Sequence, residues 1–230
     1  MLPRPHARRG FTLIELLVVI GILVILAALS YPAVSALSKS GRINQTIAEL
    51  GGSLEAARQY AVAQNTYVWV AFAVPDPAVP NQIAVAEVAS ADGTEITIPG
   101  TGTPPGPATW GGSISPGGSL VQISKVATFP LTNLAAPGTV TPAKALASTG
   151  TSLASNASFS VPIPGRSAAT TFSQALEFTP TGEARVVTGV PVSLVEFDIQ
   201  PYKGPGVIDA HNGAVIQIDG LTGAVIISRQ

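Results

Sequence analysis

The sequence contains no cysteine, and only two of its 230 residues are histidine. Without thiols the chain cannot form disulfides, so an exported domain built from it depends on its core alone. The thiolate ligands of a structural zinc site are also missing, and one of the two histidines, His6, lies close to the N-terminus. We therefore expect no metal site and no cofactor.

Charge is scarce as well, since Asp, Glu, Lys and Arg make up 11% of the residues. Removing Arg4, Arg8 and Arg9 from the 12 basic residues leaves nine, against 13 acidic residues in the rest of the chain. A mildly acidic chain with no basic stripe has nothing to neutralise nucleic-acid phosphates. We expect no nucleic-acid partner.

One long apolar run occupies residues 11–31, and its only charged side chain is Glu15. A helix of that length covers about 31 Å, close to the hydrocarbon thickness of a bilayer. The arginines before it favour a cytoplasmic N-terminus and an exported C-terminal part. A carboxylate within a membrane span costs about 3 kcal/mol and is usually functional. Glu15 is therefore the first candidate functional residue.

The residues Gly10-Phe11-Thr12-Leu13-Ile14-Glu15, which follow a basic leader and open an apolar helix, resemble the class III signal of type IV pilins and type II secretion pseudopilins. The resemblance implies that a prepilin peptidase removes residues 1–10 by cutting between Gly10 and Phe11, and then methylates the amine of Phe11. It implies three partners: that peptidase, other pilin or pseudopilin subunits, and an inner-membrane assembly platform. The chain would span the inner membrane once, with a periplasmic C-terminal domain, before entering a filament. Pro32 lies where the family commonly kinks its helix.

Cleavage would create a positively charged amine at Phe11, about one helical turn from Glu15. A buried carboxylate is costly alone and tolerable when it is paired. Glu15 would then pair with the amine of its own chain or with that of a neighbour, where it would reward correct axial register. The sequence leaves both arrangements open.

A conventional secretory signal peptide is the alternative for the same N-terminus. It also has a basic segment, an apolar segment and small residues such as Ala28-Leu29-Ser30 before the cut. Cleavage after Ser30 would release a soluble protein that begins at Tyr31. This alternative does not explain why the charged residue Glu15 lies inside the apolar segment.

Helical periodicity continues beyond the apolar run. A single apolar stripe with alternating spacings of four and three residues is formed by Ile43, Ile47, Leu50, Leu54, Ala57 and Ala61. We predict one helix over residues 11–64, about 80 Å long, with a membrane-spanning half at 11–31 and an amphipathic half at 32–64. Pro32 should kink it. Gly21, Gly41, Gly51 and Gly52 lower the local helix propensity, and they are either tolerated small residues or points of flexibility or close helix–helix contact.

The composition changes after Asn65, and residues 65–230 are predicted to form a β-rich periplasmic domain, so the fold class is α+β. Runs of β-branched and aromatic residues predict strands at 66–74, 82–89, 95–98, 120–129, 159–161, 176–178, 184–188, 192–200, 215–218 and 224–228. Turns are predicted at 92–93, 180–182 and 219–223. Two segments are predicted to be irregular: a loop at 99–118, and an insertion at 130–158 with a short helix near 142–147.

Within the pilin family, a helical segment followed directly by a strand is similar to the H-type minor pseudopilins. The phrases Phe178-x-Pro180-x-Gly182 and Ile218-x-x-x-x-Gly223-x-Val225 are similar to the closing hairpins of that group. The resemblance implies a structural subunit of a type II secretion system, a type IV pilus or a related filament.

Two other functions remain as hypotheses. A pilus-tip adhesin would bind a ligand through the 130–158 insertion or through an exposed Trp110. The alternative expectation for Trp110 is that it pins the 99–118 loop to the domain. A hydrolase would have to use His211, but no neighbouring nucleophile motif supports it. Calcium at Asp209 and Asp219 is disfavoured, because neither segment has the required density of oxygen ligands. We expect no enzymatic activity.

Overall fold

The computed structural model describes residues 12–75, 82–99, 108–143, 148–153, 155–166, 168–203, 206–207 and 212–230, with backbone alone at 29–40, 203 and 206–207. The chain divides into two compact units, Met1–Arg42 and Ile43–Gln230. Helix α1, Leu13–Gln64, contributes to both. The strands within the described residues are β1 Val68–Ala73, β2 Gln82–Ser90, β3 Thr97–Ile98, β4 Thr109–Ser113, β5 Leu120–Gln122, β6 Ala127–Pro130, β7 Thr132–Ala135, β8 Thr151–Ser152, β9 Ala157–Val161, β10 Thr170–Phe172, β11 Gln174–Phe178, β12 Ala184–Arg185, β13 Leu194–Lys203, β14 Gly206–Val207, β15 Ala214–Asp219 and β16 Val225–Arg229.

The first unit contains the apolar part of α1. Between Leu13 and Leu26 its large hydrophobic side chains are all exposed, with 47–81% of their surface accessible. In the part of the chain that the structure describes, no helix was found that is long and apolar enough to cross a membrane. The span predicted at 11–31 is not confirmed.

The second unit begins with the remainder of α1, whose apolar stripe faces the β domain. All six predicted stripe residues, Ile43, Ile47, Leu50, Leu54, Ala57 and Ala61, are at most 4% exposed. The helix ends where expected, because Asn65 adopts a positive φ of 50° and the amide of Thr66 then donates to the carbonyl of Ala61. The chain turns there directly into β1.

Three sheets form the β domain. Sheet A has the strand order β12-β11-β1-β2-β5, with β6 also paired to β2. Sheet B has the order β10-β9-β4-β3, and sheet C has the order β14-β13-β15-β16, with β7 and β8 paired to β13. Among the described strands, only β4 with β9 and β8 with β13 pair in parallel. The predicted α+β class, a helix packed on a mainly antiparallel β domain, is confirmed.

Sheet A is buried on both faces, as the fully buried pattern of β1 shows. On one face, Val68, Val70 and Phe72 pack with the α1 stripe and with β13 and β15 of sheet C. On the other face, Trp69 and Ala71 pack with sheet B. The alternation of a strand places successive side chains on opposite faces, so β1 joins the two cores.

The predicted irregular loop at 99–118 is wrong in part, because it contains β4. The sequence Thr109-Trp110-Gly111-Gly112-Ser113 has two glycines, which are depleted in strands, and this composition hid it. The close packing of sheet B explains the choice of glycine. A Cβ at Gly111 would lie 2.7 Å from the carbonyl oxygen of Ser158 on the neighbouring strand β9.

Other differences follow from short strands whose stability comes from pairing and not from local propensity. The strand predicted at 120–129 is two strands, β5 and β6, that pair with different parts of β2. The 130–158 insertion contains β7, β8 and the start of β9, and its predicted helix lies partly outside the described residues, with no helix at 142–143. Strands β10 and β14 were not predicted.

Candidate processing and assembly site

The start of α1 carries a reciprocal cap formed by Thr12 and Glu15. Glu15 Oε2 accepts hydrogen bonds from the amide and the hydroxyl of Thr12, at 3.0 and 2.9 Å. The amide of Glu15 donates to Thr12 Oγ1 at 3.3 Å, and the amide of Leu16 donates to the carbonyl of Thr12 at 3.2 Å. This is a capping box, which satisfies two of the free amides at a helix N-terminus.

The capping box places the Glu15 carboxylate next to the predicted cleavage position. Its partner, the Thr12 amide, belongs to the residue that follows Phe11, and the positive end of the helix dipole lies at the same point. Gly10 and Phe11 themselves lie outside the described residues. Cleavage, methylation and the pairing of Glu15 with an amine stay predictions.

Thr12 is a helix-capping residue that the sequence analysis missed. Its signal was available, since Thr-x-x-Glu before an apolar run is the pattern of a capping box. Pro32 lies within the backbone of α1, and the kink predicted there stays a prediction.

Trp110 is fully buried, so the suggestion that it is an exposed ligand contact is wrong. It lies on β4 opposite Thr97 of β3, and its indole Nε1 donates to Glu95 Oε1 at 2.9 Å. Trp110 therefore anchors the segment 108–113 to the domain, in line with the expectation that it pins this part of the chain.

The 130–158 insertion is fastened to the outer face of sheet C by two buried carboxylates of β13. Glu196 Oε2 accepts from the amide of Gly150 at 3.0 Å, and Asp198 Oδ2 accepts from the amide of Val140 at 2.7 Å. Burial raises the pKa of the Asp198 carboxyl, while the amide of Val140 opposes that rise. Gln217 links the same group, donating to Glu196 Oε2 at 2.7 Å and to the carbonyl of Ser148 at 3.0 Å.

The remaining candidates concern metals and catalysis. His211 and Asp209 lie outside the described residues. Asp219 closes the β15–β16 hairpin, because its Oδ1 accepts from the amide and hydroxyl of Thr222 at 2.7 and 2.8 Å. These hydrogen bonds lower the pKa of Asp219. A group of three or more acidic or histidine side chains able to hold a metal was not found among the described residues.

The two turns singled out in the sequence meet beside α1. Gly182 and Gly223 have positive φ values of 87° and 66°. A Cβ at Gly223 would collide with the carbonyl oxygen of Gly182 and lie 2.6 Å from Arg58 Cδ. Arg58 Nη1 also donates to the carbonyl of Thr222 at 3.2 Å. Close packing between these turns and the helix therefore leaves room only for glycine at position 223, whereas at position 182 the positive φ favours glycine.

Comparison with known proteins gives a match at the N-terminus. Residues 5–31 match the family model described as the prokaryotic N-terminal methylation motif. The match covers residues 5–10 of the leader, the predicted cleavage position and the start of α1, and it supports a type IV pilin or pseudopilin-like signal at the N-terminus. Neither the curated proteins nor the solved structures gave a match to this chain.

Proposed function

We propose that this chain is a structural subunit, a pseudopilin or minor pilin, of a type II secretion system or a type IV pilus-like filament. The observation that carries the proposal is the methylation motif at residues 5–31, placed at the start of a 52-residue helix. The later part of that helix packs on a β domain through its apolar stripe. Such a chain presents one end for processing and membrane insertion and the other for exposure on a filament.

Residues 11–31 would anchor the subunit in the inner membrane after processing. Apart from Glu15 they carry no charge, and the basic residues precede them. The exposed apolar side chains between Leu13 and Leu26 need an apolar environment. A bilayer provides it before assembly, and the equally apolar helices of other subunits provide it in the filament, so the exchange needs no chemistry from this chain.

Glu15 would set the register of that assembly. In the capping box its carboxylate already lies on the amide of Thr12, beside the place where processing creates an amine at Phe11. In a packed bundle, an unpaired carboxylate would be costly, so helices that align it with an amine are favoured. We further propose that the subunit is of the H type, because the helix leads directly into β1 and the glycine turns at 182 and 223 are paired. We also propose that it is not an enzyme.

Expression of the full chain with and without a prepilin peptidase tests the proposal. We expect the peptidase to shorten the chain by the ten-residue leader, and Gly10→Leu to block that step while Gly21→Leu does not. If the leader remains in the presence of an active peptidase, the proposal is wrong.

The register argument has its own test. Glu15→Ala should leave insertion intact but reduce incorporation into filaments. Glu49→Ala is the matched control, because Glu49 is an exposed carboxylate on the same helix whose contact is a hydrogen bond from Gln45 at 2.7 Å. Wild-type incorporation of the Glu15→Ala subunit would contradict the pairing.

A further inference from the structure

Both tryptophans of the chain lie in one buried polar cluster between sheets A and B. Trp69, Glu177 and Arg185 lie directly opposite one another on the neighbouring strands β1, β11 and β12. Side chains in such cross-strand positions are in contact distance. Together with the residues that reach them from other elements they form what we call the tryptophan–carboxyl cluster: Tyr67, Trp69, Glu95, Trp110, Glu177 and Arg185.

The polar atoms at the centre of the cluster are unusually poor in partners. Glu177 is fully buried, and neither of its carboxyl oxygens makes a hydrogen bond of ordinary length and angle, although Trp69 and Glu95 lie close enough to influence its pKa. The indole Nε1 of Trp69 and the Nε of Arg185 are buried without partners as well. An ionised carboxylate would be strongly destabilised at such a position, whereas a neutral carboxyl is far less costly.

Burial and the carboxylate of Glu95 favour the neutral form of Glu177. Burial, assisted by the neighbouring Glu95 carboxylate, raises the pKa of Glu177 to about 8. Arg185 opposes this rise, but its Nη2 is already paired with Glu183 Oε2 at 2.6 Å. Tyr67, the other titratable group, stacks on Trp69 with ring centroids 6.3 Å apart.

The cluster connects two layers of the fold. Glu177 and Trp69 belong to sheet A, whereas Glu95 lies on the segment that leads into β3 of sheet B and accepts the indole N–H of Trp110 on β4. The ring of Trp69 also packs on Phe159 of β9, with centroids 5.6 Å apart. Any repulsion between Glu95 and Glu177 therefore acts across the contact between the sheets.

We propose that Glu177 and Glu95 form a proton-dependent latch, which holds strands β3 and β4 of sheet B against sheet A while Glu177 is protonated and loosens that contact when both carboxyls are ionised. A carboxyl whose pKa is raised by the packed state favours that state at low pH. The advantage declines as the pH rises from the ordinary value of 4.5 and is lost above about 8. The latch is independent of the filament function proposed above.

Tryptophan fluorescence of the full chain in detergent tests the latch directly, because the chain has two tryptophans and both lie in the cluster. We expect the emission of the wild type to shift to longer wavelength as the pH rises through about 8. The helical signal in the circular dichroism spectrum, to which α1 contributes, should stay constant over the same range. Glu177→Gln, which cannot ionise, should abolish the shift, and Glu49→Gln on the helix surface should leave it unchanged.

A second variant tests whether Glu95 takes part in the transition or whether Glu177 acts alone. Glu95→Gln removes the like charge and with it the repulsion between the two carboxylates, so the fluorescence shift at high pH should be much smaller than in the wild type. The latch is refuted by a wild-type emission that does not change with pH, by a transition that survives in Glu177→Gln, or by loss of helical dichroism in parallel with the shift. A fluorescence shift of wild-type size in Glu95→Gln overturns the proposed pair.

Discussion

Two adjacent glycines of α1 allow a sharp test of how the helix packs on sheet C. Gly51 and Gly52 share the same helix, yet their surroundings differ. A Cβ at Gly52 would meet nothing within 4 Å, whereas a Cβ at Gly51 would lie 2.8 Å from Cδ1 of Ile227 on β16. The sequence left open whether these glycines are tolerated or mark flexibility or close helix–helix contact. In the structure Gly52 faces open space, and the close neighbour of Gly51 belongs to a strand.

The expected magnitudes follow from these distances. Alanine is favoured over glycine inside a helix by about 0.8–1.0 kcal/mol, so Gly52→Ala should stabilise the protein by about that amount. Gly51→Ala gains the same stabilisation from helix propensity. However, Cδ1 of Ile227 must move by about 0.6 Å to lie 3.4 Å from the new Cβ, the distance at which ordinary contact begins. Displacing a side chain from its rotamer costs about 0.5–1.5 kcal/mol, which offsets the gain.

Thermal unfolding of the full chain in detergent, followed by circular dichroism, measures the difference. We expect Gly52→Ala to raise Tm by about 2–4 °C and Gly51→Ala to leave it nearly unchanged. In an Ile227→Val background, which lacks Cδ1, Gly51→Ala should recover about 1 kcal/mol. Equal gains from the two alanine variants, or no coupling between positions 51 and 227, would refute this packing of α1 against β16.

Two further changes test the insertion and the absence of catalysis. Gly150→Ala places a Cβ 2.7 Å from Glu196 Cβ and 2.9 Å from Glu196 N, so we expect a loss of about 1–3 kcal/mol and faster hydrogen exchange at the amides of Gly150 and Val140. Unchanged exchange would contradict the fastening of the insertion to β13. His211→Ala should leave processing and assembly unaltered, and a lost activity in that variant would revive the hydrolase hypothesis.

The helix and its docking face could be predicted because their signals are local. The 4-3 spacing from Ile43 to Ala61 identifies the buried stripe, and Asn65, which tolerates positive φ, is followed at once by a run of β-branched and aromatic residues. The hairpin closed by Asp219 is equally local, since its side chain bonds the backbone within the turn.

Sheet B and the tryptophan–carboxyl cluster could not be predicted, because they depend on contacts between distant segments. Strand β4 pairs in parallel with β9, and its glycines conceal it in the sequence. Trp110 is buried as a result of that pairing. One signal was present at Glu177, a charged residue between Leu176 and Phe178 in a strand whose two faces are both buried. Recognising its partners requires the register of three strands.

Mass spectrometry of the mature amino terminus tests the central claim most directly. The account predicts a chain from cells with an active prepilin peptidase that begins at Phe11 and carries one methyl group on its amine. A chain that keeps its arginine-bearing leader in those cells, or one that begins at Tyr31 and is free in solution, would contradict it.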